Sequence, residues 1–126
     1  MYKRQPRYAA IGADKAALEA WVRYMAAEWG PAGITVNAVN GGVFDTDSSR
    51  TYYATPGVAS TDDVVRRVPL RRLGTPAEAA AAVAFLCSKD AGYITGHTLA
   101  VDGGLTVVAP PFPSDLPDSG EEGVDA

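Results

Sequence analysis

The sequence predicts an α/β fold organised around a parallel sheet, of which these 126 residues supply the carboxyl-terminal part. Three observations lead there. Helical patterns alternate with short β-branched runs, the order that produces strand-helix-strand crossovers. Each of the two β-runs leads into paired glycines, Gly41-Gly42 and Gly103-Gly104. Two strands are also too few, because parallel sheets are normally covered on both faces and need several members. The amino-terminal half of the sheet is therefore expected to be missing.

The first helix is expected over residues 14–29, where apolar positions leave only a narrow polar stripe at Lys15, Glu19 and Arg23. Glu19 and Arg23 are spaced for an i,i+4 ion pair. A helix apolar around most of its circumference must be covered on more than one side, by the sheet and by a neighbouring helix. Gly30-Pro31-Ala32-Gly33 stops it, and Ile34-Thr35-Val36-Asn37-Ala38-Val39 reads as a buried strand. Residues 47–74 are long and irregular for a connection, the size of a binding loop or lid with short helices of its own. Thr75-Pro76-Ala77-Glu78 is a helix start, with a threonine cap, proline at the first position and glutamate three residues on. That helix should reach Ser88 and bury Val83, Phe85, Leu86 and Cys87. Thr98-Leu99-Ala100-Val101 is the second strand, ending at Asp102-Gly103-Gly104.

Composition narrows the function. Apolar residues at 47% and charged residues at 21% are those of an ordinary globular chain. No apolar run approaches a membrane span and no secretory leader is visible, so a cytoplasmic location is expected. The single cysteine excludes an internal disulfide, and one histidine, His97, cannot pair with another to hold zinc; no metal site is expected. The net charge of −4 is unevenly spread. Residues 109–126 carry Asp115, Asp118, Glu121, Glu122 and Asp125 with no Lys or Arg, leaving 11 basic and 10 acidic residues elsewhere. A nearly neutral body offers no electrostatic grip on nucleic acid or a membrane surface. The Pro-rich acidic tail is expected to be disordered. Met1-Tyr2-Lys3-Arg4-Gln5 resembles the translation of a sequencing adapter and is read as an assembly scar, leaving residues 6–108 as the folded body.

Candidate chemistry lies in Tyr8, Lys15 and the first glycine turn. Seven residues are two helical turns, so a helix through both would project Tyr8 and Lys15 to one side, about 10 Å apart along the axis. An ammonium lowers the pKa of a nearby phenol and orients a ribose; the phenol can then hydrogen-bond a carbonyl oxygen as charge develops on it. An ordinary exposed tyrosine is the alternative reading of Tyr8. The turn Asn40-Gly41-Gly42-Val43-Phe44-Asp45-Thr46 follows a strand directly, and open α/β sheets bind ligands at the carboxyl ends of their strands. Glycines there admit a ligand to the backbone, and Thr46 offers a hydroxyl. Arg66, Arg67, Arg71 and Arg72 gather charge that could meet an anionic substrate or form a solvated face.

Four segments in this order resemble the short-chain dehydrogenases/reductases: residues 8–19, residues 33–39, Gly41-Gly42-Val43-Phe44-Asp45-Thr46, and Thr95-Gly96-His97-Thr98-Leu99-Ala100-Val101-Asp102-Gly103-Gly104. The resemblance spans roughly Arg7 to Val108. It implies the carboxyl half of a Rossmann-type doubly wound sheet. Most members place the catalytic tyrosine four residues before the lysine, where this chain has Ile11. A tyrosine seven before the lysine is the arrangement of the enoyl-acyl-carrier-protein reductases, and Gly-Gly-Val-Phe-Asp-Thr resembles their NADPH-using branch.

By that resemblance the parent is an oxidoreductase that transfers hydride from NADPH, with NADH as the alternative, to the C=C bond of an enoyl thioester in fatty acid biosynthesis. The acyl group would ride on acyl carrier protein or coenzyme A. Tyr8 would bind the thioester carbonyl and Lys15 the nicotinamide ribose. Gly41 and Gly42 would form the cofactor turn, the backbone at Phe44 would hold the carboxamide, and Thr46 would lie near the nicotinamide or pyrophosphate. The first helix would join a tetramer interface. The family's glycine-rich phosphate turn lies upstream and is absent from these residues, so the isolated chain is expected to bind NADPH poorly and to be inactive. A ketone- or alcohol-directed enzyme, a non-catalytic interaction module and one half of a split enzyme are the competing readings.

Overall fold

A computed structural model describes residues 9–107. The suspected scar, Tyr8 and the acidic tail fall outside the described residues. Helix α1 runs from Ala9 to Trp29, five residues earlier than the apolar pattern suggested. It ends as expected: a 3-10 turn at Gly30–Ala32 follows, and Gly33 adopts a left-handed conformation (φ 77°) while its N–H donates to the Gly30 carbonyl at 2.8 Å. A residue with a side chain would be strained there.

Strand β1 (Ala38–Gly41) pairs in parallel with β2 (Thr98–Val101), in the register Ala38↔Thr98 through Gly41↔Val101. The sheet matches the α/β expectation, but β1 starts four residues later than the β-branched run implied. Before Ala38 side chains supplement the backbone, where Gly96 N donates to the Val36 carbonyl at 2.7 Å. The Thr95 hydroxyl accepts from Val36 N (3.0 Å), Asn37 Nδ2 donates to the Ile94 carbonyl (2.8 Å), and Asn37 Oδ1 accepts from His97 N (3.1 Å). Asn37 thus does with its amide what a paired strand residue does with its backbone, and it ties the 94–97 turn to the entry of β1.

Between the strands come α2 (Asp47–Tyr53), α3 (Thr61–Arg67) and α4 (Pro76–Leu86). The stretch expected to be irregular therefore contains two short helices, each opened by its own capping box, Thr46 with Ser49 and Ser60 with Asp63. Neither has a buried residue. Helix α4 starts with the cap read from the sequence, Thr75 Oγ1 accepting from Glu78 N, and packs on both strands. Helix α1 approaches the sheet near its carboxyl end, where Ala26 lies in contact range of Gly96.

The buried apolar residues are few: Val22, Ala26, Val68, Ala91 and Leu105. Burial expected on α4 is not realised. Val83 and Phe85 are exposed, as is Cys87, and Leu86 is half-buried: α4 packs on the two strands and on the 3-10 turn at Lys89–Ala91, which leaves these side chains open. On α1, Ile11, Leu18, Trp21 and Tyr24 are exposed too, so the cover its apolar circumference calls for is not supplied by the described residues. None of the described helices is long and apolar enough to cross a membrane.

The clamp at the start of β1 gives a direct expectation. Asn37→Ala removes two hydrogen bonds and leaves the Ile94 carbonyl and His97 N–H without protein partners. Urea denaturation should show a loss of about 1–3 kcal/mol; an unchanged midpoint would show that the clamp carries no stability.

Candidate active site

The parallel register carries both glycine turns to the same end of the sheet. Gly42 N donates to the Val101 carbonyl at 2.9 Å, extending the ladder one step beyond β1. A Cβ on Gly42 would sit 2.6 Å from Asp102 Cα, and one on Gly41 would sit 2.7 Å from Phe44 Cε2. Neither position admits a side chain without displacement, so glycine is demanded here by proximity.

Phe44 is held from both sides. Its ring lies against Gly41 and Gly74, where a Cβ on Gly74 would meet Cδ1 and Cε1 at 2.7 Å. Its backbone forms an isolated parallel bridge with Gly74: Gly74 N donates to the Val43 carbonyl (3.0 Å) and Asp45 N donates to the Gly74 carbonyl (2.8 Å). In a parallel bridge the neighbours' groups make these bonds, so Phe44's own N–H and C=O face the opposite side. The carbonyl accepts from Ser49 Oγ at 2.7 Å. The N–H has no hydrogen-bond partner among the described residues. An amide donor and acceptor displayed side by side suit a primary carboxamide, the group at the reactive end of a nicotinamide cofactor.

Thr46 is placed in this turn but is occupied differently from expectation. Its hydroxyl caps α2, accepting from Ser49 N at 3.1 Å and lying 3.2 Å from Ser49 Oγ. Its acceptor capacity is therefore partly committed within the protein. Ser49 was not singled out from the sequence, although the Thr46-x-x-Ser49 spacing of a capping box was its signal.

Gly41, Gly42, Phe44 and Thr46 are thus one contiguous site, with Lys15 on a different element. Lys15 is exposed and makes no hydrogen bond or ion pair among the described residues. It lies two turns before Val22 and three before Ala26, so it continues the face of α1 that is buried further along the helix. Tyr8 lies outside the described residues. The described chain from Ala9 to Lys15 is helical throughout. Among the described residues, no group of three or more His, Cys, Asp or Glu is placed to hold a metal.

A cavity of about 450 Å³ opens beside the turn, lined by Phe44, Leu70, Arg72, Glu78, Asp102 and Gly104, among others. One wall is a charged clasp. Arg72 Nη2 and Nη1 donate to Glu78 Oε1 (2.6 Å) and Oε2 (2.9 Å), while Glu78 Oε2 also accepts from Thr75 N (2.8 Å). The guanidinium, then the Thr75 N–H, bring the Glu78 carboxyl down to about 2. Arg50 likewise holds Asp45 below the usual carboxylate range. Of the four arginines singled out in the sequence, Arg66 is engaged by Asp63 and Arg71 donates to the Arg66 carbonyl, so most of that charge is used inside the loop.

Parallel strands ending in glycine turns at one end of the sheet are the architecture of an open α/β domain, the class in which ligands bind at the carboxyl ends of the strands. Comparison with known proteins makes this specific. Residues 2–106 match the family model described as enoyl-(acyl carrier protein) reductase. The chain is 56% identical over 110 residues to 1-cyclohexenylcarbonyl-CoA reductase of Streptomyces collinus, covering 87% of this chain and 39% of that protein. It is 41% identical over 99 residues to cyclohexanol dehydrogenase of Rhodococcus sp. (strain TK6), covering 79% of this chain and 36% of the relative. The crystal structure of YwfH, an NADPH-dependent reductase involved in bacilysin biosynthesis, superposes with a TM-score of 0.76 at 29% identity, over 82% of this chain and 42% of that one. This chain belongs to the short-chain dehydrogenase/reductase family of oxidoreductases. It spans about two fifths of the length of these relatives.

The clasp predicts a pH dependence. The folded-state pKa of Glu78 is depressed, so its contribution is present above the unfolded value near 4.5 and is lost as pH falls towards about 2. Glu78→Gln should lower the thermal midpoint at neutral pH and flatten part of the decline between pH 4.5 and 2, as followed by circular dichroism. Parallel curves for the two proteins would contradict the clasp.

Proposed function

We propose that these residues form the catalytic and nicotinamide-binding part of an NADPH-dependent reductase that saturates the C=C bond of an enoyl-coenzyme A thioester. The observation that carries the choice of substrate is the 56% identity to a protein named for reduction of an enoyl-CoA. The fold supports it with a helix that reaches from Ala9 through Lys15 and carries Ile11, which has no hydroxyl, one turn before the lysine. The phenol assigned to the reaction is then Tyr8, seven residues before the lysine in sequence.

NADPH, when bound, supplies the hydride that adds to the β-carbon of the thioester. The chain's own residues do the rest. The Phe44 N–H, with the remaining lone pair of its carbonyl beside the Ser49 bond, would hold the carboxamide. Gly41 and Gly42 keep side chains out of that approach. Lys15 would bind ribose hydroxyls, and its positive charge beside the phenol would strengthen the O–H of Tyr8 as a hydrogen-bond donor. The Tyr8 hydroxyl donates to the thioester oxygen, where negative charge gathers as the β-carbon accepts hydride. Helices α2 and α3 close over the acyl group and exclude water. The exposed stripe of Leu18, Trp21 and Tyr24 on α1 is where subunits of the complete enzyme would meet, as a tetramer.

Alcohol or ketone chemistry is the second reading, favoured by the 41% identity to cyclohexanol dehydrogenase. Both are tested by joining this chain to the preceding portion of the Streptomyces relative and following NADPH consumption. Reduction of 1-cyclohexenylcarbonyl-CoA in preference to cyclohexanone is expected, with kcat falling roughly 10²–10⁴-fold in Tyr8→Phe. Turnover of the ketone alone, or an unaffected Tyr8→Phe variant, would overturn the assignment.

A further inference from the structure

Helices α2 and α3 bury no residue of their own, so the position of this loop is set at its two ends. The amino end is tied through the Phe44–Gly74 bridge and the Ser49–Phe44 hydrogen bond. The carboxyl end is held by a different element. Val68, only 3% exposed, follows α3 directly, and Leu70 N donates to the Gly103 carbonyl at 3.2 Å. Both glycines of the second turn have positive φ, 63° at Gly103 and 89° at Gly104. Both are also crowded: a Cβ on Gly103 would sit 2.7 Å from Val68 Cγ1, and one on Gly104 would sit 2.9 Å from Pro69 Cγ. The loop therefore rests on the backbone of this turn.

Asp102 gives the turn its shape. Its Oδ1 accepts from Gly104 N (2.9 Å), and its Oδ2 accepts from Thr106 N (2.9 Å) and from the Thr106 hydroxyl (2.6 Å). Its own backbone lies against Gly42, in the first glycine turn. One residue thus touches the proposed cofactor turn with its main chain and builds the loop's footing with its carboxylate.

We propose that Asp102 is a positioning residue for the active-site loop: its carboxylate fixes the Gly103-Gly104 turn on which residues 68–70 rest, and so sets the height of α2 and α3 above the cofactor turn. This rests on the proposed function only for what the loop covers; the mechanical link stands on the geometry. An aspartate is required because all three of its partners are donors. An asparagine amide can satisfy one oxygen's partners but sets an N–H against the others.

Limited trypsin digestion of this chain provides the test, since Arg66, Arg67, Arg71 and Arg72 flank the carboxyl-terminal footing of the loop and Arg23 lies in α1 as an internal reference. Asp102→Asn should raise the cleavage rate at these four sites about tenfold, the size expected for losing hydrogen bonds to a charged acceptor, with the Arg23 rate unchanged. Thr106→Val, which removes only the 2.6 Å bond, should show the same selectivity at smaller amplitude and decides the matter if Asp102→Asn does not fold. Rates that stay at the wild-type value, or that rise equally at Arg23, would overturn the proposal. Neither result depends on catalytic activity, so the loop's footing and the proposed reaction fail independently.

Discussion

The pairing of Gly41 with Val101 at the carboxyl end of the two-stranded sheet is the contact on which the site depends. It stacks two glycine turns that are about sixty residues apart in sequence so closely that Gly42 leaves no room for a Cβ beside Asp102. A slip of one residue in a parallel pair would turn alternate side chains to the opposite faces and separate the turns. The Asn37 clamp holds the same register from the other end, where it ties the turn before β2 to the residues before β1. With the register held, Phe44 is gripped between Gly41 and Gly74 and its amide groups are turned outward.

The loop after the first glycine turn follows from this arrangement. Its helices are only seven residues long, below the length at which a helix in water is self-supporting, and each relies on a capping box and on ion pairs along its surface. Short, exposed, locally stabilised elements between firm attachments are the part of a protein that opens at least cost. The attachments are firm because they use the sheet itself: one through Gly74, the other through Gly103. Arg72 and Glu78 add a third link, joining the end of the loop to the cap of α4, which packs on both strands. Under the proposed function, a covering element that moves while its base stays fixed beside the glycine turn would let the pocket exclude water before hydride transfer.

Local signals in the sequence were readable where local chemistry decides the structure. Gly30-Pro31 does end α1, Thr75-Pro76-Ala77-Glu78 does start α4, and both glycine turns do follow strands. What depends on distant partners was not readable. The entry to β1 looked like strand because Ile34, Thr35 and Val36 are β-branched, yet its pairing there combines one backbone bond, from Gly96 N to the Val36 carbonyl, with bonds from the side chains of Asn37 and Thr95. Val83, Phe85 and Cys87 looked like core, but core positions exist only where something covers them, and among the described residues these three remain exposed. The candidate residues Gly41, Gly42, Phe44 and Thr46 came from one contiguous motif and sit together. Ser49 had a signal in its capping-box spacing, whereas the roles of Asp102 and of the Arg72–Glu78 clasp emerge only in three dimensions, because nothing in spacing alone shows which carboxylate will meet which donor.

The proposed function seats the nicotinamide on the backbone from Gly41 to Thr46. Titration of the ¹⁵N-labelled chain with NADPH, followed by amide chemical shifts, tests it directly, because the method registers weak binding as well as tight. The largest shifts are expected at Gly41, Gly42, Phe44 and Thr46, above all at the unpaired Phe44 N–H, with α4 beyond Ala82 unaffected. Shifts centred elsewhere, or a Phe44 amide that does not respond at saturating cofactor, would contradict it.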